Sequence, residues 1–413
     1  MSNVEQSAIV LEDVLMPSNL KAAAKQVMSN KGAPGVDNME VGVLPAYMAS
    51  DFWFDILDQV RDGTYQPKPI RRVYIPKENG DKRPLGIPTV IDRLIQQALA
   101  QRLSEYYDEK FSNSSFGYRP GRGAHDAVNQ ALAYMNQGRE WIIDLDLAKF
   151  FDTVNHSKLL QVLSKDITDG RVISLIHKFL RAPVFEDGKV GPKTTMGTPQ
   201  GGCVSPVLAN ILLNELDQVL DARGIPFVRY ADDMMIFCGS EKAAQRILRN
   251  VKDFIEKKLF LKVNTEKTKI VSPWQAKFLG FSFLHNRYVA KVRRERHPYH
   301  TWFATVHETK EAKFKSSLKE VLDRRAKGGI EAVKRKLRLK VRGWCNYFGT
   351  AIKTGFIAEM DEWMRRRIRQ LLWKQWKKPL KRRNEFKKRW KSAPELGEYA
   401  YSSARYWRMS RTY

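Results

Sequence analysis

FVRYADDMMIFC, residues 227–238, is two short apolar runs joined at Asp232-Asp233. Runs of this length and composition read as strands, and the polar junction reads as the tip of a hairpin. Paired aspartates at an ordinary turn are solvated turn chemistry. Between two apolar strands, however, both carboxylates are lifted to one edge of a sheet, where a divalent cation would relieve their mutual repulsion. A second acidic strand lies upstream: WIIDLDL, 141–147, alternates acidic and apolar residues from Ile143 to Leu147. Asp144 and Asp146 then share a face, and spacing alone does not choose between them. Between the two strand signals, PVLANILLNELDQVL (206–220) opens on a proline and sets Val207, Ile211, Leu212 and Leu216 on one helical face. The middle third is therefore α+β.

Further out, RRVYIPKENGDKRPLGIP (71–88) places Asn79-Gly80 between apolar runs, a hairpin signal. RLIQQALAQRLSEYY (93–107) follows, with Leu94, Ile95, Ala98, Leu99 and Leu103 at helical spacing. Downstream, AKFKSSLKEVLDRRA (312–326) and IEAVKRKLRLKVRGW (330–344) repeat apolar residues every three or four positions on a basic background. In LLWKQWKKPLKRRNEFKKRWKS (371–392), Trp373, Trp376, Phe386 and Trp390 interleave with cations. Their tryptophans are expected to bury one face while Arg365, Arg366, Arg369 and Lys374 offer phosphate the other.

The charge is as uneven as the pattern. The 413 residues carry a net +27. Residues 286–413 hold 36 Lys+Arg against 12 Asp+Glu, or +24, leaving 36 − 33 = +3 for residues 1–285. A surplus confined to one segment points to nucleic acid rather than a generally basic surface. No apolar run reaches the roughly eighteen residues of a membrane span, and the start lacks the pattern of a secretory signal. The expectation is a cytoplasmic protein, nucleoid-associated when bound to DNA, with no membrane partner. Cys203, Cys238 and Cys345 are too scattered for a zinc clip or a disulfide framework.

Magnesium takes hard oxygen ligands, and a nucleotide polymerase uses two such ions about 4 Å apart. Asp146 and Asp232 are the candidate bridging ligands, with the Leu147 carbonyl as an additional one and Asp233 adding charge or a secondary contact. Manganese is the natural substitute.

The motifs resemble, in order, those of the bacterial group II intron-encoded reverse transcriptase/maturases. Asn30 to Asp37 (NKGAPGVD) is similar to the N-terminal extension loop. Pro76-Lys77 through Arg83 to Pro88, and Ser115 to Pro120 (SFGYRP), are similar to the fingers motifs. DLDLAKFFDTVNH (144–156), GTPQGGCVSP (197–206) and YADD (230–233) resemble the palm motifs, and Lys262 to Thr268 and Phe278 to Phe281 complete the palm. Arg342 to Phe348 (RGWCNYF) resembles the maturase segment.

The resemblance implies an α+β right-hand polymerase with helical and hairpin fingers (1–135), an antiparallel-sheet palm (136–290), a basic all-helical thumb or maturase domain (291–390) and a short basic-aromatic tail (391–413). It selects Asp146 over Asp144, because the family's metal aspartate precedes by five residues the aromatic, here Phe151, that blocks a ribose 2′-hydroxyl. At the matched positions Lys77 and Arg83 are expected to close on the triphosphate, Gln200 to contact the nucleotide, and Lys267 to act as general acid toward pyrophosphate.

The implied partners are an RNA template, a DNA primer, dNTPs and a group II intron RNA; the spacing of motifs does not set the oligomeric state. After Tyr406-Trp407-Arg408 the chain stops at Tyr413, so an HNH endonuclease is not expected. Two cellular roles then stand open, a compact intron maturase or a free-standing enzyme recruited for DNA break repair or defence. From another class stands a non-enzymatic splicing factor, which intact aspartates disfavour.

Overall fold

The computed structural model describes residues 9–76, 80–286, 301–323, 329–376 and 378–389. They form two compact units, divided between Ala276 and Lys277. The strands of the first are β1 (Ile70–Pro76), β2 (Lys82–Ile87), β3 (Trp141–Leu145), β4 (Val184–Glu186), β5 (Lys189–Val190), β6 (Phe227–Tyr230), β7 (Asp233–Cys238) and β8 (Lys269–Val271).

Two sheets result, ordered β2-β1-β4-β5 and β6-β7-β3-β8. The second is antiparallel throughout, as the palm expectation requires. In the first, β1 and β2 form the hairpin read from Asn79-Gly80, with Pro76 opposite Lys82. Gly80 has φ +88°, a conformation glycine adopts without penalty; Asn79 and Lys77 lie outside the described residues.

A large apolar core runs through this unit. Ile143, Leu145, Phe227, Met234 and Ile236 cluster with Leu212 and Leu216 of the helix Ser205–Ala222, and the cluster extends to the helix Val90–Asp108. The periodicity read at 93–107 is fully realised: Leu94, Ile95, Ala98, Leu99 and Leu103 have no exposed surface. That helix starts where Thr89 accepts a hydrogen bond from the Asp92 amide at 3.2 Å. The loop at 32–37 is fastened to its first turn. Arg93 donates to the Ala33 carbonyl at 2.9 Å, and a Cβ on Gly35 would stand 2.7 Å from the Thr89 Cα.

Asp92 is buried, and accepts from Tyr65 (2.7 Å), Thr89 (2.6 Å) and the Lys68 amide (3.3 Å). Burial outweighs these bonds and raises its carboxyl to about 6. A carboxyl raised on folding favours the protonated native state, so its contribution is present below about pH 4 and lost as pH rises through 6. Asp92→Asn should therefore gain on wild type between pH 4.5 and 7.5, by about 2–3 kcal/mol for two pK units. Thermal melts across that range check this, and a pH-independent difference would contradict it.

The second unit begins with β9 (Lys277–Phe278), β10 (Phe281–His285) and β11 (Trp302–Val306), an antiparallel sheet in the order β11-β10-β9. Among the described residues four α-helices follow, Glu308–Val321, Gly329–Phe348, Thr354–Gln375 and Pro379–Arg389. Within the segment 291–390 expected to be helical, Trp302–Val306 is a strand that pairs residue for residue with β10, and residues 291–300 lie outside the described residues. This strand is buried at four of its five positions, and such a short apolar run carries no readable period. The helices meet through stacked Phe314 and Trp344, 4.2 Å between centroids, with Leu318 and Met360. Trp373 and Trp376 are buried, as their spacing predicts, and Arg382 lies 4.5 Å over the Trp373 ring. The Phe386 side chain, Trp390 and the tail 391–413 lie outside the described residues. Among the described residues no helix is long and apolar enough to cross a membrane.

Candidate active site

Strand register gathers the acidic residues. Asp144 faces Met235 and Leu145 faces Met234, so the next step sets Asp146 beside Asp233 at the end of the β3–β7 ladder. Opposed residues of an antiparallel pair share a face, which puts Asp144, Asp146 and Asp233 together. Asp232 occupies, with Ala231, the two-residue loop between paired Tyr230 and Asp233. Ala231 has φ +59°, the positive φ that such tight hairpin loops use.

Asp146 lies one residue past β3 and is held by the segment 262–268. Its amide donates to Thr268 Oγ1 (3.2 Å), its carbonyl accepts from the Asn264 amide (2.9 Å), and Leu147 bridges to Val263. Lys267 brings its ammonium to 3.4 Å from Asp146 Oδ2, so this cation sits on the carboxylate itself. Burial and then neighbouring negative charge raise the carboxyls: Asp144 to about 6, with Asp146 as the charged neighbour, and Asp233 to about 6, with Asp232, Asp144 and Asp146. Asp232 is raised as well, mainly by burial and by Asp146, against the pull of Arg83 and Arg229. The donors are all hard oxygens crowded against their own repulsion, the chemistry a divalent cation fits. Among the described residues no three acidic, histidine or cysteine side chains converge into ready-made ligand geometry.

A support that the motifs do not disclose lies beneath the hairpin tip. Arg229, 1% exposed, forms an ion pair with the wholly buried Asp217 on the helix Ser205–Ala222, with Nε to Oδ1 at 2.9 Å. Its Nη1 donates to Asn210 Oδ1 (2.8 Å) and to the Ala231 carbonyl (3.0 Å). Asn210 donates in turn to the Gly117 carbonyl at 2.8 Å. Gly117 is needed for closeness, since a Cβ there would come 2.4 Å from the Ala231 nitrogen. Thus the stretch 115–118 clasps the loop that carries Asp232. The signal was present in parity: Arg229 shares the core-facing side with Phe227, and Asn210 and Asp217 share a helix face with Leu213 and Leu220. The neighbouring Tyr118 has φ +57°, and burial and the charge of Asp232 push its phenol up.

A cavity of about 290 Å³ is lined by Arg72, Gly86, Phe151, Gly197 and Gln200 among others; Asp144, Asp146, Asp232 and Asp233 are not part of its lining. Phe151 is half-buried, edge-on to Phe150 at 5.2 Å. The Gln200 carbonyl accepts from the Gly86 amide at 2.7 Å, and Gly201 (φ +125°) could not carry a Cβ, which would meet the Gly86 oxygen at 2.3 Å. Phe151 and Gln200 are therefore brought together in the lining of one cavity. Arg83 is not among the lining residues. Register turns it to the face opposite Arg72, Pro84 and Gly86, and its charge is felt by Asp232 and Tyr118. Arg72 lines the cavity instead, with its Nε buried and unpartnered. Lys77 lies outside the described residues.

Residues 75–283 match the family model described as "Reverse transcriptase (RNA-dependent DNA polymerase)", and residues 312–390 match "Group II intron, maturase-specific domain". Protein YkfC of Escherichia coli (strain K12) is 32% identical over 353 residues, covering 76% of this chain and 91% of that protein. Group II intron-encoded protein LtrA of Lactococcus lactis subsp. cremoris is 31% identical over 337 residues, covering 65% of this chain and 55% of LtrA. The chain therefore spans nearly all of one relative and about half the length of the other.

Proposed function

Since the chain belongs to the reverse transcriptases, RNA-directed DNA polymerases, and carries the group II intron maturase domain, we propose that it extends a DNA primer with dNTPs on an RNA template, and also on DNA. The observation that carries this reading is the register of β3 against β7, which sets Asp146 beside Asp233 and the Asp232 loop. Asp146 and Asp232, with the Leu147 carbonyl and Asp233 alongside, are the residues that would hold magnesium. When bound, magnesium supplies charge neutralisation at phosphate oxygens and lowers the pKa of an attacking hydroxyl.

The chain's own groups do the rest. Lys267 on Asp146 tempers the negative field and stands ready to give a proton to a departing pyrophosphate. Arg83 beside Asp232 offers a cation toward the triphosphate, with Lys77 as its expected companion, and Arg72 offers another from the cavity wall. The glycine-built turn at Gln200 presents backbone and amide to the nucleotide, and the Phe151 ring closes the side where a ribose 2′-hydroxyl would project. Purified protein, an RNA template with an annealed DNA primer, dNTPs and Mg²⁺ should yield full-length DNA. No extension above a protein-free control on either RNA or DNA templates would refute the reading.

Phe151→Ala should raise incorporation of rNTPs relative to dNTPs by roughly tenfold or more, the scale of a removed steric wall. Single-nucleotide incorporation checks this, and an unchanged ratio would remove Phe151 from the sugar pocket.

A second, additional role is favoured by the match of residues 312–390 and by their basic helices. Here the second unit binds folded intron RNA through backbone phosphates, an interaction that weakens steeply with salt. Splicing of a flanking intron in the presence of the Asp232→Ala protein tests whether it is separable from polymerisation.

A further inference from the structure

The cavity wall near Phe151 and Gln200 includes the Gly197–Thr198 peptide group, which is held at both ends. Its N–H, from Thr198, donates to the Phe151 carbonyl at 2.6 Å. Its C=O, from Gly197, lies 2.7 Å from His156 Nε2. A carbonyl only accepts, so Nε2 carries the proton. His156 is 5% exposed, and its ring stands edge-on to His177, 6.5 Å between centroids. It opens the helix His156–Leu163, whose start is set by Asn155 accepting from the Lys158 amide at 2.9 Å.

The segments on either side are pressed together. The Gly197 amide donates to the Val154 carbonyl at 2.8 Å, and Asn155 bridges to Met196. Gly197 has φ +87°, and a Cβ on it would stand 2.9 Å from the Asp152 carbonyl oxygen. Of these ties, the one from His156 alone comes from a side chain. Without it the Gly197 carbonyl is left in a buried place with no donor, and a glycine is free to rotate the peptide toward a new partner. That rotation carries the Thr198 N–H away from the carbonyl of Phe151. It also shifts the following Pro199-Gln200 turn.

We infer that His156 is a positioning residue for sugar selection: by fixing the Gly197–Thr198 peptide it sets the separation of the Phe151 ring from the Gln200 turn across the cavity. The inference rests on the reading of that cavity as the nucleotide pocket. A residue that only supported the fold would lower stability and turnover for every nucleotide alike. A residue that sets pocket width changes nucleotide KM, and changes it differently for deoxyribose and ribose.

Single-nucleotide incorporation with a dNTP and the matching rNTP tests this on wild type, His156→Leu, His156→Gln and Phe151→Ala, with thermal melts alongside. Leucine removes the donor, and should raise dNTP KM roughly five- to tenfold, the worth of one hydrogen bond, with a smaller change in kcat and a several-fold loss of dNTP-over-rNTP preference. Glutamine returns an N–H donor and should recover most of both. Should leucine prevent folding, His156→Asn, whose amide is too short to reach, takes its place. Lower stability and kcat with unchanged KM and unchanged preference would overturn the inference. If Phe151→Ala alters preference and His156→Leu does not, only the role of His156 falls. If neither does, the nucleotide-pocket reading falls and the inference with it.

Discussion

Asp232→Ala is expected to bind primer–template as wild type does and to extend it on the order of a thousandfold more slowly, the scale on which loss of one preorganised electrostatic group acts. Asp232 projects from a two-residue loop rather than from the core, so truncating it removes a carboxylate without opening a cavity. Burial and the neighbouring Asp146 charge raise its carboxyl, so the folded surroundings disfavour the ionised form. Alanine should therefore leave the melting temperature level or slightly higher. Single-turnover extension on an RNA template, together with a filter-binding isotherm, separates the two effects. Extension within a few-fold of wild type would remove Asp232 from the reaction.

Asp217→Ala should act through stability instead, lowering the melting temperature of the first unit without removing a reacting group. It leaves the Arg229 guanidinium, 1% exposed, without its carboxylate. Removing one partner of a buried pair costs about 3–5 kcal/mol, which for a unit of this size is roughly a 10 °C fall in melting temperature. Activity should fall with it, since Arg229 also donates to the Ala231 carbonyl beside Asp232. Replacing both partners, as in Asp217→Leu with Arg229→Met, should recover much of the stability and less of the activity, because Ala231 still lacks its donor. A single Asp217→Ala that melts with wild type would show the pair to be hydrated rather than buried.

The contrast between these two residues shows what the chain discloses before folding. Asp232 was legible because YADD stands between two apolar runs, and the β6–β7 hairpin is the local consequence. Leu94 to Leu103 were legible because helical spacing has one buried solution. Arg229 and Asp217 are twelve residues apart, on a strand and a helix, and neither pattern alone announces their pairing. Their pairing depends on how the sheet lies on its helix, a tertiary fact. Arg83 and Arg72 make the same point. Both belong to one basic stretch, and only the register opposite Ile75 and Gly86 sends them to different faces. Trp302–Val306 lacked a readable period because nearly all of it is buried. The choice of Asp146 over Asp144 came from resemblance; in the structure Asp144 stands opposite Lys269 within the ladder, while Asp146 lies at its end beside the hairpin loop.

Asp146 at the end of β3 and Asp232 in the β6–β7 loop are the carboxylates proposed to hold the catalytic cations. Titration of Mn²⁺ into protein bound to primer–template and a non-reacting nucleotide, followed by the EPR signal of free Mn²⁺, measures this without turnover. Wild type should bind the ion saturably, and Asp146→Asn and Asp232→Asn should each weaken that binding tenfold or more, in line with the loss of a charged ligand. Unchanged binding in both variants would contradict the account.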